Sequence, residues 1–123
     1  MEATKTNKHK TYACCSARPV EATLSVVGGK WKVLILYHLL DETLRFGEIQ
    51  RRIPNATARM LTRHLRELER DNMVHRKVYA EVPPKVEYSL TEFGQSLMPV
   101  IKSMEKWGRT YVGQVLTSRE ASD

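Results

Sequence analysis

Residues 57–71 read TARMLTRHLRELERD, and this stretch decides the fold. Leu61, Leu65 and Leu68 recur at i, i+4 and i+7, the spacing that places three side chains on one face of a helix. Arg59, Thr62, Arg63 and Arg66 project elsewhere on the same helix. Thr57 suits the N-cap, because its hydroxyl can accept from an orphan backbone N–H in the first turn. No Glu or Gln stands three residues on, where Met60 lies, so there is no capping box. The acids Glu67, Glu69 and Asp71 come late, although the positive end of a helix dipole favours acids early. A cationic, acid-free helix start held by an apolar seam suits a polyanion. The plain alternative is a surface helix with arginines on its wet face.

On the N-terminal side, Phe46, Ile49 and Ile53 share the spacing i, i+3, i+7 and predict a helix that Pro54 ends, since the residue before proline avoids the helical region. Leu44-Arg45-Phe46 reads as a short strand or as the start of that helix. Pro54-Asn55-Ala56 is then a three-residue turn. A helix, a short turn and a second helix basic at its start form the helix-turn-helix pattern.

On the C-terminal side the period changes to two. Val74, Arg76 and Val78 alternate with His75, Lys77 and Tyr79, and Val86, Tyr88 and Leu90 with Lys85, Glu87 and Ser89. Between them lies Ala80-Glu81-Val82-Pro83-Pro84. This predicts a two-stranded hairpin with a stiff tip flanked by Lys77 and Lys85, in other words a wing.

The outer elements are helical. Pro19 suits a first turn, and Val20, Leu24 and Val27 continue a short helix to Gly28-Gly29. With no preceding strand and no downstream GK[ST], those glycines are an interhelix turn and not a phosphate loop. A second helix from Lys30 carries Trp31, Leu34, Ile35, His38 and Leu39 on one stripe, Trp31 being core and His38 a satisfied neighbour rather than a ligand. Thr91 is expected to cap a long last helix on which Phe93, Leu97, Ile101, Met104, Gly108, Tyr111 and Val115 step by helical spacing, widened by Val100 and Trp107 and kinked at Pro99. Its apolar surface exceeds what a small winged domain covers, so a second copy of the chain is expected to take the surplus.

At 123 residues the chain fits one domain over 19–116, with a mobile basic arm at 1–18 and a polar, frayed tail at 117–123. Four Lys and Arg against one Glu give residues 1–18 a charge of +3; ten against six give residues 44–90 a charge of +4; four of each sign leave 91–123 neutral. The charge is therefore segregated, one face for phosphate and another for something else. No apolar run reaches the 18 or so residues of a membrane span, and residues 1–10 hold no apolar signal region, so the cytoplasm is expected. The two cysteines, Cys14 and Cys15, are adjacent, which is neither a disulfide framework nor a zinc spacing.

Several motifs together resemble HxlR-type transcriptional regulators: Pro19-Val20-Glu21-Ala22-Thr23-Leu24; Gly28-Gly29-Lys30-Trp31-Lys32; Arg45-Phe46-Gly47-Glu48-Ile49; Met60-Leu61-Thr62; Leu65-Arg66-Glu67-Leu68-Glu69; Val82 through Thr91; and Trp107-Gly108. They run in the family's order over about residues 19–112. The resemblance implies a mainly α fold with a small β wing, a winged helix-turn-helix related to MarR proteins. It implies a homodimer through the first and last helices, acting as a repressor or activator on a pseudo-palindromic operator in double-stranded DNA. Base reading then falls to Ala58, Arg59, Thr62 and Arg63, and phosphate contact to Thr57, Arg66, Lys77 and Lys85. The dimer face is expected at Val20, Leu24, Leu97, Ile101, Met104, Trp107 and Tyr111. Family members often carry a cysteine just before the Pro-Val-Glu motif, some of them sensing oxidants or electrophiles. Arg18 stands there in this chain. Cys14 and Cys15 remain the redox candidates, with the displacement breaking any direct transfer of that role.

Other functions find less in the sequence. His9, His38, His64 and His75 show no HExxH spacing and no serine sits in GxSxG, so neither an enzyme, a metal nor a cofactor is implied. No aromatic pair suggests base stacking on RNA. A winged module that binds protein in place of DNA is the alternative, and it would need no cationic helix start.

Overall fold

The computed structural model describes residues 17–122; Cys14, Cys15 and the rest of the expected arm up to residue 16 lie outside the described residues. Helix α1 (Arg18–Val27) leads through Gly28-Gly29 into α2 (Lys30–Leu39). Gly29 has a φ of 81°, the left-handed region that favours glycine, so the interhelix turn depends on it. Strand β1 (Leu44–Arg45) and α3 (Phe46–Arg52) follow, so the Leu44-Arg45-Phe46 segment is both a strand and a helix start. Helix α4 (Ala58–Arg70) comes next, then β2 (Val74–Tyr79), β3 (Lys85–Leu90), a single turn α5 (Glu92–Gln95) and α6 (Met98–Ser122).

The wing is larger than the expected hairpin. β1 adds to β3, giving an antiparallel sheet of order β1-β3-β2, with Leu44 opposite Tyr88 and Arg45 opposite Glu87. One sheet face holds Leu44, Val74 and Leu90 against the helices, the first two almost wholly buried.

The core joins Ile35, Leu36 and Leu39 of α2, Ile49 of α3, Leu61, Leu65 and Leu68 of α4, and Ile101 of α6. Leu36, absent from the expected stripe, is fully buried. Helix α2 packs against α3, α4, β3 and α6, so nearly all its sides are apolar and one stripe understates it. Trp31 is partly buried against this core. His38 meets the Tyr37 ring edge-on at 5.3 Å, and burial, with Arg52 adding to it, holds its pKa below the ordinary value.

The expected single last helix is broken. Thr91 caps only α5: its Oγ1 accepts from the Gly94 N–H at 2.9 Å and donates to the Asn72 carbonyl at 2.7 Å. The chain turns at Ser96–Leu97, and α6 then starts at Met98. Pro99 therefore lies in the first turn of α6, where its missing N–H is an orphan anyway, and causes no kink. Residues 117–122, expected as a frayed tail, continue α6.

Candidate nucleic-acid interface

Helix α4 is presented by its own underside. Leu61, Leu65 and Leu68 are at most 1% exposed, which leaves the opposite face outward. The Thr57 hydroxyl caps the start by accepting from the Met60 N–H at 3.1 Å, and its own O–H remains free to donate to a phosphate. Ala58, Arg59 and Arg63 are exposed as expected for base reading. Thr62 is half-buried, and its hydroxyl donates to the Ala58 carbonyl at 2.8 Å, so its methyl and its oxygen lone pairs are what it can offer a base edge. Ala58, Arg59, Thr62 and Arg63, with Phe46, Met60, Arg66 and Glu67, line a groove of about 640 Å³ along the helix.

Several cations of the described chain are paired with carboxylates, while others away from this face, among them Arg45, Arg51, Lys106 and Arg119, make no ion pair among the described residues. Arg52 pairs with Glu42 at 2.8 Å, Arg109 with Glu105 at 3.1 Å and Lys32 with Glu67 at 3.0 Å. Arg59, Arg63, Arg66 and Arg76 make no ion pair among the described residues. These four guanidiniums line the α4 groove and the crevice beside it and outnumber the Glu67 and Glu69 carboxylates there, a local positive excess suited to a phosphate backbone.

The wing holds its cations differently from the expectation. Lys77 and Lys85 both place their ammonium groups 4.9 Å from the centre of the Tyr79 ring. Lys85 also lies 3.3 Å from Glu87, and the Tyr79 hydroxyl donates to Glu87 at 2.9 Å. The Tyr79 hydrogen bond, then Lys85, hold the Glu87 carboxyl below the ordinary carboxylate range. Lys85 is thus no free cation; a phosphate there would compete with Glu87. Arg76 was missed by the sequence reading. It pairs with Tyr88 across the ladder, on the sheet face turned to α4, and the signal was available: it shares the inward register of Val74.

Apolar side chains are left exposed on the first and last helices. Val20 and Leu24 of α1, and Met104, Trp107 and Tyr111 of α6, are exposed, the Trp107 and Tyr111 rings lying 5.0 Å apart at a tilt of 38°. Val112 and Leu116 of α6, not among the expected residues, are exposed as well. Ile101 corrects the list of interface residues: it is 3% exposed and belongs to the core of its own chain, with Leu97 packed beside it. The Tyr37 hydroxyl donates to Glu105 at 2.8 Å and so fixes which side of α6 faces the body. Among the described residues no group of three or more His, Cys, Asp or Glu is placed to hold a metal ion, and no helix is long and apolar enough to cross a membrane.

Comparison with known proteins places this geometry. A family model described as HxlR-like helix-turn-helix matches residues 26–115. An uncharacterized HTH-type transcriptional regulator of Bacillus subtilis (strain 168), YdeP, is 55% identical over 108 residues, which span 85% of this chain and 84% of that one. The solved structure of the redox regulator HypR in its reduced form is similar with a TM-score of 0.77 and 56% identity, over 81% of this chain and 98% of that chain. HypR in its oxidized form gives a TM-score of 0.73 and 58% identity, over 75% and 95%.

Proposed function

The chain belongs to the HxlR-like helix-turn-helix family of DNA-binding transcriptional regulators, and from that premise we propose that it works as a homodimer on a pseudo-palindromic operator. Each copy sets α4 in a major groove, with Ala58, Arg59, Thr62 and Arg63 toward base edges and Thr57 and Arg66 toward phosphate. The wing lies along the adjacent minor groove and its phosphates, with Lys77 and Lys85 near its tip. The observation that carries this reading is the set of unpaired arginines on and beside a helix whose other face is locked into the core. The second copy covers Val20, Leu24, Met104, Trp107 and Tyr111, an apolar face that a single copy leaves in water. The reading assigns no catalytic role and no cofactor, and it places the protein with the chromosome, in the cytoplasm.

Regulation by oxidant extends the proposal. HypR, similar over most of the described chain, is a redox regulator with an oxidized and a reduced form. In this chain Cys14 and Cys15 are the thiols that would carry such a response.

Selection of bound duplexes from a random pool, followed by titration of the selected and a scrambled duplex at several salt concentrations, tests the function. The expected result is a palindromic motif, a preference for it over the scrambled duplex, and affinity falling steeply with salt. Retention on neither duplex would overturn the reading in favour of a protein-binding wing.

A further inference from the structure

Between α4 and the wing lies a polar crevice of about 340 Å³, lined by Thr62, Leu65, Arg66, Glu69, Arg76 and Tyr88. It arises from register. Val74 and Leu90 face each other across the β2–β3 ladder on the core side, and Arg76 and Tyr88 are the next pair out on that same side. Arg76 therefore leaves the core where Val74 is still in it and emerges beside α4. Arg66 reaches the crevice from the helix, one turn beyond Thr62. Neither guanidinium makes an ion pair among the described residues, although the Glu69 carboxylate lines the same crevice. Two cations gathered without their nearest carboxylate repel each other, which leaves room for an outside anion.

The placement says which anion. With α4 in a major groove and the wing along the adjacent minor groove, the DNA strand dividing the two grooves must cross between these elements. We propose that the Arg66–Arg76 crevice is a seat for one phosphate of that strand, fixing the register at which α4 meets the bases. This inference rests on the DNA-binding reading above. Guanidinium suits the task because it can take two phosphate oxygens at once, which an ammonium cannot do in a fixed geometry.

The test uses the selected duplex with its phosphates replaced one at a time by neutral methylphosphonate. The wild type should lose affinity at a small set of positions. Arg76→Ala should bind more weakly on every duplex, with a salt slope smaller by about 0.9. At one position only, the methylphosphonate should cost Arg76→Ala nothing further, and Arg66→Ala should be silent at that same position. Arg76→Lys should keep part of the coupling, and Glu69→Gln should tighten binding. Thermal melting of each variant shows that the fold persists. If the losses simply add at every position, or Arg76→Ala binds like the wild type, the seat is wrong while DNA binding stands. If the wild type binds no duplex, both readings fall.

Discussion

The Lys32 ammonium stands 3.0 Å from a carboxylate oxygen of Glu67, which ties α2 to the flank of α4. His64 Nδ1 lies 3.4 Å from the same oxygen, outside hydrogen-bond alignment. Lys32 first, and His64 after it, hold the Glu67 carboxyl below the ordinary carboxylate range. A carboxylate with a lowered folded-state pKa stabilises fully above its unfolded pKa, and that stability is lost as pH falls through the lowered value. Glu67→Gln should therefore melt earlier than the wild type at neutral pH, and the two should converge in acid. Parallel thermal melts at pH 7 and below the carboxylate range check this; a constant difference across that range would remove the ionic account.

Base reading is expected at Arg59 and Arg63. Arginine can pair bidentately with guanine, each good pair giving roughly 1–3 kcal/mol of discrimination. Changing either to Ala should flatten the preference for operator over scrambled duplex more than it lowers affinity for the scrambled one. Competition titrations would show it, and equal losses on both duplexes would contradict the assignment.

What was legible in the sequence was local. The seam of Leu61, Leu65 and Leu68, the Thr57 cap and the break at Pro54 each depend on neighbours within two turns. The pairing of β1 with β3 does not, because the whole helix-turn-helix lies between Leu44 and Tyr88 in the sequence. Pro99 misled for a related reason: proline inside an apolar stripe implies a kink, but the turn at Ser96–Leu97 had already restarted the helix. Arg76 was legible in register and illegible in meaning, since only the packing of α4 beside β2 makes that register a binding face.

The wing gives a prediction with an unusual sign. Glu87 engages both Tyr79 and Lys85, so removing its charge releases a cation next to the tip. Glu87→Gln should raise affinity on all sequences and steepen the salt slope, and Lys85→Ala should lower that slope by about one unit. Salt titrations on scrambled DNA measure both. Unchanged slopes in the two variants would place the tip off the duplex.

The cysteine prediction begins with geometry. Adjacent Cα atoms sit about 3.8 Å apart across a trans peptide, below the usual disulfide range of about 4.4–6.8 Å. A bond within the Cys14–Cys15 pair would be strained, and a bond between two chains is the easier product. Lys8, Lys10 and Arg18 are near in sequence and favour thiolate, the reactive form. Mild diamide treatment should convert the protein to a disulfide-linked dimer on non-reducing gels and change operator affinity, with both effects lost in the Cys14→Ser, Cys15→Ser double variant. No shift in band and no change in affinity for the wild type would end the idea.

Ile101 and Met104 are one helical turn apart on α6 and have opposite surroundings, 3% and 50% exposed. The fold uses the first, and the proposed second copy uses the other. Truncating Ile101 to Ala should cost about 2–5 kcal/mol of stability, as large-to-small changes in a packed core do. Met104→Glu and Trp107→Glu should leave the thermal melt of a diluted monomer nearly unchanged, because those side chains already face water within one chain. They should nonetheless abolish the dimer, since a charge would be buried unpaired between two copies. Operator binding should fall with it, because two α4 helices can meet major grooves about 34 Å apart only when held together. Sedimentation of the variants against the wild type decides the matter: a Trp107→Glu protein that still runs as a dimer would show that the copies meet elsewhere.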